Sequence, residues 1–406
     1  MGKITAKLWT NQYVIIVLLS LVMFCAFYMI TAGFPIFVST VTDNPAVAGT
    51  MTTTLMLSSL ITRFFASIII QKVHRKLLLI ISLVYFLGTV GLTFVNDSVG
   101  FLIFIRALQG IGFCMLTTLV FTISSNIVPK SRLGEGLVFF AMSTSVGTTI
   151  GPLIAISYLA NFSFHSLMLV TLGLLTISLV CSFFTKTNGN REKEEEKKQP
   201  QKADDEPFYK YMFDKRVLLP CILVSLNYMT IAGTVNFMGP FGKEINLGGS
   251  ISQFFIAQGI TMVIFRSFSG KIFDRFGHRI LMIPAAISGT AGLVLLGFAS
   301  SMLTVWISGA LFGIAFAIIH PIGQAWALTL VPEEKKATAN SMLLIFIDSG
   351  LAIGSIGLGF LANYVGYAWT FTYSGALMVI ILILYLFGSK KQPIDTKQVP
   401  SPSLTD

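Results

Sequence analysis

Apolar stretches long enough to cross a membrane recur along the whole chain, and this recurrence restricts the fold more than any other feature. A helix of roughly 18 or more apolar residues spans the ~30 Å hydrocarbon core of a bilayer. Because lipid offers no partners to backbone amides, such spans are helices rather than open strands. The predicted spans are residues 13–38, 48–71, 77–95, 99–123, 133–159, 164–184, 217–238, 249–270, 280–299, 302–330, 337–362 and 368–388. The sequence therefore predicts an all-α integral membrane protein with twelve transmembrane helices.

The composition agrees with a membrane protein and excludes other classes. Of the 406 residues, 54% are hydrophobic and 11% are charged, whereas roughly 25% are charged in an average soluble protein. Soluble enzymes, nucleic-acid-binding proteins and disordered chains are therefore excluded. Cys25, Cys114, Cys181 and Cys221 all lie in apolar spans without metal-ligand spacing, so we expect buried free thiols and no metal site.

Basic residues are distributed unevenly between the predicted loops. Of the 28 Lys and Arg residues, 24 fall at the N-terminus, in every second loop, in the central linker and in the C-terminal tail. Only Lys243 falls on the opposite side, and three arginines belong to spans: Arg63, Arg106 and Arg266. Because Lys and Arg concentrate in cytoplasmic loops, both termini and the linker are predicted to be cytoplasmic in a multi-pass protein of the plasma membrane. The same bias explains the net charge of +10 without a nucleic-acid partner.

An internal repeat relates the two halves of the chain. A shift of 203 residues places Arg63 on Arg266 and Gly147 on Gly350, and four helices stay in register without a gap. Two parallel six-helix repeats are typical of secondary transporters, whose substrate site lies between the halves near the bilayer midplane. We therefore expect two pseudo-symmetric six-helix bundles, a charged cytoplasmic linker and a flexible tail. The predicted boundaries are 1–184, 185–216, 217–388 and 389–406.

The loop after the eighth span carries the clearest motif, G-K-I-F-D-R-F-G-H-R at residues 270–279. It is similar to the loop motif G-x-x-x-D-R-x-G-x-R of the major facilitator superfamily, and the resemblance spans the whole chain. We expect its glycines to allow a close helix approach and a tight turn, and its charges to latch one conformation. The predicted gating residues are Gly270, Asp274, Arg275, Gly277 and Arg279. The equivalent loop of the first half has Gln71 and His74 at the Asp and Gly positions, so the two latches are expected to be unequal.

Two further motifs resemble those of proton-coupled exporters in this family. Residues 106–112, R-A-L-Q-G-I-G, are similar to the R-x-x-Q-G-x-G motif of proton-coupled members. Residues 147–155, G-T-T-I-G-P-L-I-A, resemble the G-x-x-x-G-P-x-x-G motif of the drug/proton antiporter branch, with an alanine for the last glycine. Glycines four apart let two helices touch through their backbones, and Gly147, Gly151 and Pro152 are the predicted hinge.

Buried charges are the candidate coupling groups. Asp348 is the acid deepest within a predicted span, and a desolvated carboxylate binds a proton more readily, so it is a candidate proton carrier or contact for a cationic substrate. Its alternative role is a structural hydrogen bond. Arg106 is expected near the bilayer centre, facing the interior or a wet cavity, because a bare arginine there costs ~2.5–3.5 kcal/mol. The other candidates for coupling or substrate binding are His320, Gln109, Tyr28, Asn227, Tyr228 and Asn236.

These features predict a secondary active transporter, not an enzyme, that exports a small organic molecule in exchange for protons. No nucleotide-binding Walker motif occurs, and no cofactor or catalytic residue is expected. The substrate stays open between a range of lipophilic or cationic drugs and one cellular product, such as an opine-type metallophore whose carboxylates Arg106 would bind. A proton-coupled importer and a non-transporting sensor or scaffold are the alternatives. A monomer in the lipid bilayer is sufficient for this mechanism.

Overall fold

The helices account for almost the whole of the part of the chain that the computed structural model describes, namely residues 8–129, 132–185, 213–332 and 335–389. Gly366, with φ +79°, breaks the last helical stretch, Lys336–Gly388, into α11 (336–365) and α12 (367–388). The others are α1 (Asn11–Thr42), α2 (Pro45–Lys72), α3 (Arg75–Gly91), α4 (Val99–Ile127), α5 (Leu133–Leu159), α6 (Phe164–Phe184), α7 (Leu218–Glu244), α8 (Gln253–Phe276), α9 (Arg279–Gly297) and α10 (Met302–Thr329). The described residues thus form twelve long helices, as the sequence predicts.

Within the residues that the structure describes, eleven of these helices lie in segments that are long and apolar enough to cross a membrane. Helix α2 contains the polar runs Thr52–Thr54 and Ser58–Ser59. Three of these side chains, Thr52, Thr53 and Ser59, are buried. These polar side chains of α2 therefore serve contacts inside the protein, whereas its large apolar side chains Leu57, Ile61 and Phe65 are exposed, as on other helices.

Capping residues fix where helices begin and end. Thr10 caps α1 by accepting a hydrogen bond from the Tyr13 backbone N–H at 3.2 Å, and Asn44 caps α2 in the same way. Such caps satisfy backbone donors that have no partner within the helix. Gly277 ends α8 at φ +73°, a backbone conformation that glycine adopts without the steric cost of a side chain.

Helices α1 and α7 occupy the centre of the molecule. Both contain long uninterrupted runs of buried residues, 25–36 in α1 and 230–242 in α7. A helix that is buried all round belongs in a core rather than on a lipid-facing surface. Peripheral helices differ, because large apolar side chains on α3, α6, α9 and α12 are exposed, among them Ile81, Val180, Ile287 and Ile383.

The sequence repeat is reproduced as a repeated helix contact. In the first half, a Cβ atom on Gly151 would lie 2.7 Å from the Cys25 carbonyl oxygen, so α5 packs backbone to backbone on α1. In the second half, a Cβ on Gly354 would lie 2.5 Å from the Cα of Met229, so α11 packs on α7 in the same way. The matched glycines therefore serve the same packing function in both halves.

The central linker and the C-terminal tail lie largely outside the described residues. Helix α6 ends at Phe184 and α7 begins at Leu218, while 186–212 and 390–406 are not described. The predicted domain boundaries and the flexibility of the tail stay predictions.

Asp214 fastens the beginning of α7 to the loop before α11. Its carboxylate accepts hydrogen bonds from the Arg216 Nε at 3.0 Å and Nη2 at 2.7 Å, and Lys335 Nζ lies 3.7 Å away. The hydrogen bonds from Arg216 are the main cause that lowers the pKa of Asp214 from 3.8 to about 2. Asp214 therefore stays ionised under all physiological conditions.

An Asp214→Asn substitution is expected to lower the Tm of the purified protein at neutral pH. Because the folded-state pKa lies below the unfolded value, the carboxylate stabilises the fold above pH 3.8, and this contribution is lost as the pH falls towards about 2. The Tm difference between wild type and variant should therefore narrow below pH 4. Asp97→Asn is the matched control, because Asp97 forms an exposed pair with His165 and such pairs contribute little. A Tm difference that does not depend on pH would contradict the assignment.

Candidate functional site

The two halves meet most closely at one end of the helices. We call the end at which α1 begins and α2 ends the terminal face, and the end at which α1 ends and α2 begins the distal face. Near the distal face, Gly49 of α2 contacts the Ser355 carbonyl of α11, and a Cβ on Gly359 would lie 2.8 Å from the Pro45 carbonyl. Contacts this close leave no passage between α2 and α11 at the distal face.

A chain of buried hydrogen bonds joins the halves beside this contact. Thr52 Oγ1 of α2 donates to Asn236 Oδ1 of α7 at 2.9 Å, and Asn236 Nδ2 donates to Ser355 Oγ of α11 at 2.9 Å. Thr53 Oγ1 donates to the Ala352 carbonyl at 2.8 Å. Asn236, a predicted substrate contact, is thus held between the halves by both of its amide atoms.

An ion pair bridges the halves deeper in the molecule. Asp348 Oδ2 of α11 accepts hydrogen bonds from Arg63 Nη2 at 2.7 Å, from Arg63 Nε at 3.0 Å and from Ser59 Oγ at 3.1 Å. The Asp348 and Arg63 side chains are 4% and 10% exposed, so solvent screens the pair weakly. Among the acidic side chains that the structure describes, Asp348 alone is buried within a helix.

Tyr28 of α1, Cys114 of α4 and Tyr228 of α7 are titratable groups within electrostatic range of Asp348. Together with Arg63 of α2, they bring five helices, α1, α2, α4, α7 and α11, into the region of one carboxylate. A change in the charge of Asp348 acts on both halves at once.

A second arginine occupies the position related to Arg63 by the repeat. Arg266 of α8 donates from Nη1 to Ser145 Oγ and to the Ala141 carbonyl of α5, the latter at 3.4 Å. The 203-residue shift that relates Arg63 to Arg266 also relates Ser145 to Asp348. The two interfaces between halves are thus built alike, with a carboxylate in one and a hydroxyl in the other.

Tyr228 and His320 lie beside Arg266. The Tyr228 hydroxyl is 3.1 Å from His320 Nδ1, and the rings are in edge contact with centroids 5.4 Å apart. Both interact electrostatically with Arg266, and all three side chains are partly open to solvent. The neighbouring Asn227 is fully buried, and neither amide atom has a partner. Arg266 and Asn227 thus keep buried polar atoms without a partner among the described residues, and with Tyr228 and His320 they form the candidate substrate chamber.

Arg106 does not belong to this chamber. It is fully buried, donates from Nε to the Met51 carbonyl at 3.1 Å and from Nη1 to Gln109 Oε1 at 2.9 Å, and lies over the Phe34 ring. As the eighth residue of α4 it lies ~10 Å from the distal end of that helix, and its side chain faces the protein interior. Its Nη2 and the Gln109 Nε2 have no partner, and Asp348 pairs with Arg63 instead.

The predicted hinge and gating residues have mixed outcomes. Gly147 and Gly151 pack α5 on α1 within the first half, and Pro152 follows in the same helix. Gly277 makes the predicted turn. The close helix approach expected at Gly270 is wrong, because a Cβ there would have no neighbour within 4 Å.

The charged part of the predicted latch is only partly described. The guanidinium of Arg275 lies over the Phe276 ring at 5.2 Å, and Arg279 begins α9. The side chain of Asp274 lies outside the described residues. The latch therefore stays a prediction.

Sequence reasoning missed the residues that join the halves. Arg63, Ser59, Ser145 and Arg266 were not candidate site residues, although the repeat aligned the two arginines. The same shift aligns Asp348 with Ser145, and this alignment would have indicated that only one of the two arginines has a carboxylate at the matching position. Within the described residues no group of His, Cys, Asp or Glu could hold a metal ion.

Comparison with known proteins places this arrangement in a family. The model of the Major Facilitator Superfamily matches residues 16–302 and 221–404. An uncharacterized MFS-type transporter of Methanocaldococcus jannaschii is 25% identical over 78% of this chain and 83% of its own length. The staphylopine export protein of Staphylococcus aureus is 22% identical over 63% of this chain and 66% of its own. The multidrug resistance protein MdtG of Proteus mirabilis is 31% identical over 32% of this chain and 35% of its own length.

Solved structures agree on the fold. A mutant of the nucleoside transporter NupG superimposes with a TM-score of 0.76 at 14% identity, covering 93% of this chain and 99% of NupG. A bacterial homolog to the human lysosomal transporter Spinster superimposes with a TM-score of 0.74 at 12% identity, covering 97% of this chain and 100% of the homolog. Both share the fold described here over almost their whole length. The protein is a multi-pass membrane protein that belongs to the Major Facilitator Superfamily.

Proposed function

We propose that this transporter exports a small organic molecule in exchange for protons, by alternating access. The observation that carries the proposal is the Arg63–Asp348 pair, a buried titratable carboxylate that joins the two halves. Alternating access requires the halves to separate at one face while they close at the other. A proton that changes the strength of a bond between halves can drive such a change.

The ionised pair stabilises the arrangement described above, in which the distal face is closed. Protonation of Asp348 removes its negative charge, and with it the attraction to Arg63. A buried cation left without its partner is strongly unfavourable, so the halves then favour an arrangement in which Arg63 reaches water. The proton thereby shifts the equilibrium between the two arrangements by its different affinity for each.

Antiport also requires the proton and the substrate to bind alternately. A substrate that enters the chamber beside Tyr228 comes within electrostatic range of Asp348. Its binding energy replaces that of the Arg63–Asp348 pair, whereas a proton breaks the same pair by neutralising it. Each ligand therefore uses one common bond, which is the minimum that exchange needs.

Three observations favour export over the alternatives. Gly147 and Gly151 form the α5–α1 contact in a sequence that resembles the antiporter motif. The relatives include a staphylopine export protein and multidrug resistance proteins. The bias of basic residues places the terminal face, which lies opposite the closed distal end, at the cytoplasm. A chamber that is closed at the distal face is then accessible to substrate from the cytoplasm.

Proton movement in everted vesicles tests the proposal. Adding a transported compound to acid-loaded everted vesicles should make the interior more alkaline, read from a ΔpH-sensitive dye. Asp348→Asn should reduce this response at least tenfold, because an amide keeps a similar shape but does not titrate. Asp97→Asn, at the exposed pair with His165, is the control and should behave as wild type. Acidification on adding substrate would indicate an importer, and an undiminished response in Asp348→Asn would overturn the role of Asp348.

A further inference from the structure

Arg266 is an arginine whose repeat-related counterpart holds a carboxylate, while it holds none itself. Arg63 has Asp348 as its partner, and the position equivalent to Asp348 in the other half is Ser145. A serine hydroxyl accepts a hydrogen bond but carries no negative charge. No ion pair involves Arg266 among the described residues, whereas Arg63 has one at 2.7 Å.

The part of the guanidinium that is left open is the one that binds carboxylates. Arg63 holds Asp348 through Nε and Nη2, which lie on one edge of the planar group. Arg266 uses Nη1 for Ser145 and Ala141, and its buried Nε has no hydrogen-bond partner among the residues that the structure describes. An unmade hydrogen bond on a buried donor is unfavourable, and more so for a charged group. The Nε edge of Arg266 is therefore a preformed site for an acceptor.

Among the described residues, no acidic side chain pairs with this guanidinium. Ser145 and Ala141 of α5 accept hydrogen bonds from its Nη1, and Tyr228 of α7 and His320 of α10 lie within its electrostatic range. The Arg266 side chain is partly open to solvent, although its Nε atom is buried, so a ligand from the chamber first meets the exposed part of the side chain and must displace its neighbours slightly to reach Nε. A cation at membrane depth is expensive unless an anion or water accompanies it, and the protein leaves the anion to be provided from outside.

We propose that the Nε edge of Arg266 binds the carboxylate of the transported molecule, so that the substrate is an organic anion. The inference rests on the proposed export function and names its substrate class. A carboxylate fits because its two oxygens match two parallel N–H donors of arginine. Tyr228 and His320 then line the next part of the molecule, with a hydroxyl, an imidazole nitrogen and two ring edges.

Binding at this point also couples the substrate to the movement of the halves. Arg266 belongs to the second half, and its Nη1 already contacts α5 of the first. A carboxylate bound there lies at the interface between α5 and α8, as Asp348 lies between α11 and α2. Substrate at Arg266 thus completes the second of two equivalent interfaces, while Asp348 completes the first.

Acetate, the smallest stable organic carboxylate, tests the site without knowledge of the natural substrate. The intact protein, labelled at arginine Nε with ¹⁵N and placed in lipid nanodiscs, is titrated at constant ionic strength against acetate, acetamide, chloride and inorganic phosphate. The Arg266 signal is identified as the one missing in Arg266→Lys. We expect a saturable shift with acetate, with a Kd in the millimolar range for so small a ligand, and none with acetamide or chloride. No saturable acetate shift overturns the proposal, as does tighter binding of phosphate than of acetate.

A substitution guided by the repeat provides an independent arm. Ser145→Asp installs in the first half the carboxylate that Asp348 supplies in the second. This substitution should raise the Kd for acetate at least tenfold. Ser145→Asn has nearly the same size without the charge and should retain it. If Ser145→Asp fails to fold, the titrations of the wild type and of Ser145→Asn still show whether acetate binds at Arg266. Loss of acetate binding in both variants to the same extent would contradict the charge argument.

This experiment separates the substrate class from the export function, because acetate binding is measured without transport. Proton exchange driven only by cationic drugs, with no acetate shift, would overturn the carboxylate site and leave export intact. Acetate binding without proton movement for any organic anion would support the carboxylate site and overturn proton-coupled export.

Discussion

Replacing Arg63 by Met is expected to destabilise the protein by about 3–5 kcal/mol, because the substitution leaves Asp348 buried without its partner. Asp348 has no other cation within bonding distance among the described residues, and Ser59 alone can still donate to it. Replacing Asp348 by Leu should be similarly damaging, since Arg63 would then be the uncompensated charge. Thermal unfolding of the purified protein measures both effects as a fall in Tm.

The double variant Arg63→Met with Asp348→Leu separates stability from coupling. Replacing a buried ion pair by apolar residues of similar size is often neutral or stabilising, so the double variant should recover most of the lost Tm. It contains no titratable group at this position and should not exchange protons in vesicles. A double variant as unstable as the single variants would contradict the pairing. One that is stable and still coupled would assign proton binding to another group.

Gly350→Ala is expected to destabilise the contact between α11 and α7 and to impair transport. The added Cβ would collide with the Ser225 carbonyl and approach its backbone carbon at 3.0 Å. Both are backbone atoms, so relief requires the helices to move apart, and overpacking of this kind costs about 1–3 kcal/mol. The displacement would also shift Asp348, two residues earlier in α11, relative to Arg63. A lower Tm together with a reduced proton response is the expected result.

Gly357→Ala is the matched control for Gly350→Ala. It lies in the same helix, seven residues later, and a Cβ there would have no neighbour within 4 Å. Alanine favours a helix over glycine by up to ~1 kcal/mol, so this variant should be as stable as the wild type or slightly more so. Gly147→Ala, in the first half, should resemble Gly350→Ala, because its Cβ would lie 2.8 Å from the Leu21 carbonyl. Equal effects of Gly350→Ala and Gly357→Ala would contradict the packing argument.

Local signals in the sequence were sufficient for the helices and for the repeated glycine contacts. Hydropathy and length identified the spans, and only the separation of the last two changed in detail, since Gly366 interrupts one helical stretch. The pairing of Gly147 with Gly350 was visible because a glycine contact depends on its own helix face. The turn at Gly277 was equally local. In contrast, Gly270 belongs to the same motif, yet a Cβ there would meet no described neighbour within 4 Å, and unlike Gly147 it has no glycine at the repeat-related position, which is Ser67.

Contacts between the halves required the three-dimensional arrangement. Arg63 and Asp348 are separated by 285 residues, and their pairing depends on how α2 and α11 are aligned along their lengths. Arg106 was the more conspicuous arginine in the sequence, but its position in α4 directs it to Met51 and Gln109.

The sequence by itself determined the membrane location of the chain, its helices, its internal repeat and the residues that pack helices within each half. These features depend on hydrophobicity and on side-chain size, which each segment carries alone. The tertiary structure decided which charges meet, that Asn236 bridges the halves, and that Arg266 keeps an open edge while Arg63 does not. The reason is that ion pairs and unfilled donors depend on the separation of atoms from distant segments, and that separation exists only after both halves have packed.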